Sequence, residues 1–225
     1  MLPLPEPRAL TTAEIGATIA DFRLAARKAI EAGADGVELH GANGYLIRQF
    51  LAPNANIRTD PYGGPIENRI RFVLEATAAV AEEIGANRTA IRISPGNALG
   101  DIDEGPEGPE LYRRLVNELD KLGLAYLHVL HRGDDAFLAE LRSRWSGVLM
   151  LNRGGRPREL VGQDVASGRA DMESLASMSL ANPDLVDRLR SGAPLNPPDR
   201  TTFYAGNAHG YTDYPALEQT PGAAA

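Results

Sequence analysis

The 225-residue chain has no cysteine, which excludes disulfides and thiolate metal sites and means that any redox chemistry needs an added cofactor. Long apolar runs are also missing. None approaches the ~20 residues of a membrane span, and Met1-Leu2-Pro3-Leu4-Pro5 lacks the basic and apolar regions of a signal peptide. The expected location is cytoplasmic, with no membrane partner. Positive charge is in deficit, with 23 Lys and Arg against 30 Asp and Glu and a net charge of -7. That balance opposes non-specific binding to nucleic acid or to an anionic surface. Small molecules and protein partners remain.

At 43% hydrophobic and 24% charged residues, with no shift in composition, residues 1–225 are expected to form a single domain. Thr11 and Glu14 have capping-box spacing, and Ile15, Ile19, Phe22, Ala26 and Ile30 repeat at helical intervals up to Gly33. A strand at about Gly36 to His40 follows. Pro65 opens a second helix, striped by Ile66, Ile70, Val73, Thr77, Val80 and Ile84 and closed by Gly85. The cycle continues with strand Thr89 to Ser94, helix Pro109 to Leu122, strand Ala125 to Leu130, helix Asp134 to Ser143 and strand Gly147 to Leu151. A short helix at Arg158 to Ala166 and a strand at Met172 to Ser177 complete it. Five strands alternating with helices predict βαβ units in a parallel sheet, an α/β architecture.

Two stretches fall outside this rhythm. The segment Gly41 to Ile66, rich in Asn, Pro and Gly, is too long for an ordinary connection and marks a functional loop. Residues 191–225, with Pro194, Pro197, Pro198 and Pro221, read as an irregular C-terminal tail.

The candidate chemistry sits where the first strand meets that loop, in His40-Gly41-Ala42-Asn43-Gly44-Tyr45. His40 and Asn43 can both donate hydrogen bonds to one carbonyl or oxyanion oxygen, and Tyr45 can give or take a proton beside it. Such a trio suits an enolate. Gly154-Gly155 permits close approach of backbone to a phosphate. His128 and His131 have a spacing seen in metal sites, but no carboxylate motif accompanies them and no metal is expected. Asp60 to Gly64 reads as a turn ordering the long loop, and Glu67 and Arg69 as ion-pair partners.

His40-Gly-Ala-Asn43-Gly-Tyr45-Leu, Gln49-Phe50-Leu, Asn56 through Arg69, and Ile91-Arg92-Ile93-Ser94-Pro95 resemble the old yellow enzyme family of FMN-dependent ene-reductases. The resemblance runs on through Ala181-Asn182-Pro183-Asp184-Leu185 and Gly210 to Pro215. It implies the C-terminal part of a TIM-type β/α barrel, about five of its eight strands, with FMN at the strand ends and NAD(P)H as reductant. The reaction implied is reduction of the C=C bond of an α,β-unsaturated carbonyl. On the matching positions, the substrate carbonyl would be bound by His40 and Asn43, the proton supplied by Tyr45, and the flavin held by Arg92 with Gly154 and Gly155. Barrel enzymes gather such groups at the C-terminal ends of strands, where His40, Ser94 and the Asn152 to Gly155 turn are expected.

The sequence departs from the family pattern in two places. The first three strands have no counterpart, so an open sheet would leave two edges and an apolar interior exposed unless a complementing N-terminal-half chain, a homo-oligomer or a rearranged closure covers them. Ala176-Ser177 stand where the pattern has Gly-Arg, removing a charge-assisted hydrogen bond to phosphate worth about 1.5 to 3 kcal/mol. Glu173, in an expected buried strand, needs a partner and would repel phosphate if it pointed there. Two further readings follow from these departures. One is a flavin-free isomerase or cyclase using the His/Asn/Tyr site. The other is a non-catalytic fragment or partner subunit.

Overall fold

Thr11 and Glu14 cap each other. In the computed structural model, which describes residues 7–97, 99–204 and 207–217, the Thr11 hydroxyl accepts from Glu14 N at 3.2 Å and the Glu14 carboxylate accepts from Thr11 N at 2.7 Å. The helix so started, α1 (Thr12–Glu31), buries Ile15 and Ala26. The strands β1 (Val37–Gly41), β2 (Thr89–Ile93), β3 (Tyr126–Leu130), β4 (Leu149–Asn152) and β5 (Met172–Glu173) form one parallel sheet in chain order. Between them run α2 (Leu46–Leu51), α3 (Ile66–Arg69), α4 (Arg71–Ile84), α5 (Gly108–Asp120), α6 (Asp135–Arg144) and α7 (Gln163–Ala166). Sequential parallel order is what successive βα units produce, and with five strands it makes part of a TIM-type barrel.

The described residues fall into two units divided between Glu173 and Ser174. The first contains the whole sheet. In the second, α8 (Ser177–Ala181) and α9 (Leu185–Ser191) are followed by irregular chain broken by a 3₁₀ turn at Arg200–Thr202. Side chains satisfy the backbone there. The Asn196 amide donates to the carbonyls of Ala181 and Pro215, and buried Arg188 donates to those of Pro194 and Pro215.

Strand alternation sorts the sheet into two chemical faces. Leu39, Ile91, Ile93, Leu127, Val129, Leu149 and Leu151 join the hydrophobic core with Phe72, Val73, Leu115, Leu119 and Leu138 of the helices. The opposite face carries a cross-strand row in register: His40, Arg92, His128, Met150 and Met172. One step earlier lie Glu38, Ala90 and Tyr126. This corrects the expectation of an apolar interior. The face is largely polar because its positions are spent on ionisable side chains instead of packing.

Four element boundaries also differ from the sequence reading. The long loop contains α2, a helix short enough to hide among turn residues. The helix expected from Pro65 divides at Ile70 into α3 and α4. The stretch 158–166 splits into a 3₁₀ turn and α7, because Gly162 sits at φ +87°. β5 stops at Glu173, and at Ala176 the backbone turns (φ -107°, ψ -80°) into α8.

Candidate active site

β1 delivers His40 to the polar face, and the backbone then turns sharply enough to bring Tyr45 back to it. Asn43 adopts φ +57°, a left-handed conformation that asparagine tolerates. Gly44 follows at φ +82°, where a Cβ would lie 2.8 Å from the Leu99 carbonyl oxygen, so only glycine lets the two loops approach. The result is a His40–Tyr45 ring pair with centroids 4.9 Å apart, inclined at 49°. Tyr45 is 61% exposed, and neither its hydroxyl nor the His40 imidazole has a hydrogen-bond partner among the described residues.

Asn43 is held from two sides. Its backbone N donates to Ser94 Oγ at 3.0 Å, and its side-chain oxygen accepts from Asn97 Nδ2 at 3.0 Å. With the oxygen engaged, the Asn43 amide group is left to present its NH₂ as a donor. Asn97 went unread in the sequence, since an Asn after Ser94-Pro95-Gly96 is indistinguishable from ordinary turn chemistry.

Arg92 neighbours His40 in register across the β1–β2 ladder. Its Nε is buried and without a hydrogen-bond partner among the described residues. Partial loss of hydration and then the Arg92 charge hold the His40 pKa below its ordinary value, so the imidazole is neutral at pH 7. Glu38 accepts from His128 Nδ1 at 2.9 Å. Burial pushes its carboxyl up, but the bonds from His128 and Tyr126 and the charge of Arg92 outweigh that and leave it below the usual range. Burial and the Glu38 charge push the Tyr126 phenol up to about 12. His131 turns elsewhere, its Nε2 meeting the Asp134 carbonyl at 2.8 Å, so the two histidines have separate partners.

After β4, Gly154 and Gly155 form an exposed turn with φ +79° at Gly155. Arg153 is committed to Asp135 and Asp164, and Arg156 to Asp164. Glu173 shares the core-facing side with its register partner Leu151. Its carboxylate accepts from Gly162 N at 2.8 Å and Asp164 N at 3.0 Å, so the partner it required is the start of α7. Ala176 precedes α8 and Ser177 begins it, both exposed in the second unit.

The helix that follows Tyr45 carries half of a buried charge pair that the sequence reading missed. Arg48, one turn after Tyr45 on α2, pairs with Glu104, and Tyr112 of α5 donates to the same carboxylate. Burial and then Glu104 push the Tyr112 phenol far up, so it stays a donor. A cleft of about 600 Å³, bounded by Asn97, Glu104, Tyr112, His131, Phe137 and Glu140 among others, adjoins this support. His40, Asn43 and Tyr45 are not in its walls.

The family model described as NADH:flavin oxidoreductase / NADH oxidase matches residues 3–196. Over 225 residues the chain is 45% identical to 12-oxophytodienoate reductase 2 of Arabidopsis thaliana, covering 95% of this chain and 59% of that protein. It is 45% identical over 221 residues to the Leishmania infantum protein named "Probable flavin mononucleotide-dependent alkene reductase", covering 96% of this chain and 60% of the other. Among solved structures it is similar to morphinone reductase in complex with tetrahydroNAD, with a TM-score of 0.91 and 42% identity over 96% of this chain and 60% of that one. The chain thus spans about three fifths of the length of these relatives.

Proposed function

Because the chain belongs to the NADH:flavin oxidoreductase / NADH oxidase family, we propose that it supplies the substrate-activating part of an FMN-dependent, NAD(P)H-reduced ene-reductase acting on α,β-unsaturated carbonyls. The observation that carries this reading is a set of unspent donors at the end of β1: the His40 ring beside Tyr45, the NH₂ of Asn43 three residues on, and the buried Nε of Arg92, the register partner of His40.

The residues present fit a flavin. An unpaired buried guanidinium nitrogen on the polar face suits the carbonyl-rich edge of the ring system, and the turn at Gly154 and Gly155 offers open backbone to a phosphate. Bound FMN would be the source of the hydride for the alkene. Neutral His40 and the Asn43 amide hold the substrate carbonyl oxygen and stabilise the negative charge that gathers on it. Tyr45, beside His40, gives its hydroxyl proton to the α-carbon, and its exposure allows recovery of that proton from solvent.

Eight strands close such a barrel, and the outer edges of β1 and β5 have no strand partner among the described residues. Closing the barrel needs further strands beside β1 and β5. The test is direct. The purified chain, alone and mixed with an N-terminal-half polypeptide, is titrated with FMN and then with an enone after reduction by NADH or NADPH. Flavin absorbance and enone-dependent reoxidation are expected in the mixture. No flavin binding in either sample overturns the reading.

A further inference from the structure

The turn after β4 holds an unassigned cation. A Cβ on residue 154 would lie 2.6 Å from both Nε and Nη2 of Arg132 and 3.0 Å from its Cζ. The guanidinium therefore rests directly against the glycine backbone, in space that any other residue at 154 would fill. Arg132 comes from the loop between β3 and α6 and is exposed. It makes no ion pair or hydrogen bond among the described residues. The neighbouring charges are spent: Asp134 caps α6 through Phe137 N, Asp135 pairs with Arg153, and Asp164 pairs with Arg153, Arg156 and Arg169. An unneutralised planar fork against exposed Gly154, at a turn that continues through exposed Gly155, is a site for a tetrahedral oxyanion.

We propose that Arg132, with the Gly154-Gly155 turn, binds the phosphate monoester of the flavin, in a chain that carries serine and not arginine at position 177. β4 matches the seventh strand of an eight-stranded barrel, whose following turn commonly binds phosphate. Arg132 reaches that turn from the sixth. The proposal rests on the flavin reading for the rest of the ligand, but the phosphate contact is testable apart from it.

Fluorescence quenching by the full chain is measured with FMN and with riboflavin, for the wild type, Arg132→Gln and Arg132→Lys. The expected result is that R132Q weakens FMN about 10- to 100-fold, the range of one charge-assisted contact, and leaves riboflavin unchanged. R132K should recover part of the loss. Because Arg132 is exposed and unpaired, the thermal midpoint should not move. FMN affinity equal in R132Q and wild type, or equal affinity of the wild type for FMN and riboflavin, overturns the proposal while leaving flavin binding intact. If neither flavin binds, the flavin reading fails, and inorganic phosphate followed by ³¹P NMR line width decides the rest. Broadening that disappears in R132Q sustains the phosphate site, whereas no broadening in the wild type overturns it.

Discussion

Arg48 Nε donates to Glu104 Oε1 at 2.8 Å, with the two side chains 0% and 3% exposed. Arg48 also donates to the Ile102 carbonyl, and Tyr112 to Glu104 at 2.7 Å. The pair thus clamps α2, which starts just after Tyr45, to the loop that carries Asn97. Removing one partner leaves a buried charge uncompensated. Glu104→Gln should cost about 3 to 5 kcal/mol in urea unfolding, and Arg48→Met a similar amount. The triple replacement Arg48→Met, Glu104→Leu, Tyr112→Phe removes every member together and should recover most of that loss. A triple variant no more stable than either single would show that packing, not charge pairing, governs this region.

On the proposed reading, Asn97 acts on substrate through Asn43, whose side-chain oxygen it holds. Asn97→Ala frees the Asn43 amide to rotate, and the lost orientation should cost about 0.5 to 1.5 kcal/mol of enone binding, read as a rise in KM with kcat little changed. Tyr45→Phe should do the opposite, lowering kcat by about 10² to 10⁴. With its ring 61% exposed, that change should leave the unfolding midpoint in place. Equal effects of both variants on KM would argue against separate binding and proton-transfer roles.

The capping box of α1, the existence of five strands and the cluster at the end of β1 were legible because each rests on local spacing: Thr11 to Glu14, short apolar runs bounded by turn residues, and three polar residues within six positions. What stayed hidden depends on long-range partners. Glu173 looked like an unpaired carboxylate until the first N–H groups of α7 were seen to meet it. Arg48 and Glu104 lie 56 residues apart, with nothing in either neighbourhood to name the other. The polarity of the inner sheet face depends on register, since His40, Arg92 and His128 become neighbours only when three strands align.

His40 gives the sheet a pH dependence. Partial loss of hydration and the Arg92 charge lower its pKa from 6.5 in the folded protein, so the unfolded chain binds more protons once the pH falls below that value. Stability is full above pH 6.5 and declines as the pH drops toward the lowered folded value. Glu38, Tyr126 and His128 share this face, and Glu38, also lowered, adds its own loss only below its ordinary value of 4.5. His40→Asn should flatten the upper part of the curve, measured by urea unfolding across pH, and leave the acidic part unchanged. A persisting slope near pH 6.5 would show that His40 does not set it.

Glu173 separates helix capping from phosphate repulsion. Its carboxylate accepts from Gly162 N and Asp164 N at the start of α7 and shares the side of the sheet occupied by Leu151, whereas Met172 shares that of Met150 in the polar row. Glu173→Ala removes a cap and should destabilise the protein by about 0.5 to 2 kcal/mol. Glu173→Gln, which keeps an acceptor, should cost less. A charge turned toward the helices does little to a ligand on the opposite side, so neither variant should change FMN affinity in a fluorescence titration. Tighter FMN binding by Glu173→Gln would mean that the carboxylate field reaches the phosphate, and the loss at Ala176-Ser177 would then be compounded by repulsion that Arg132 has to overcome.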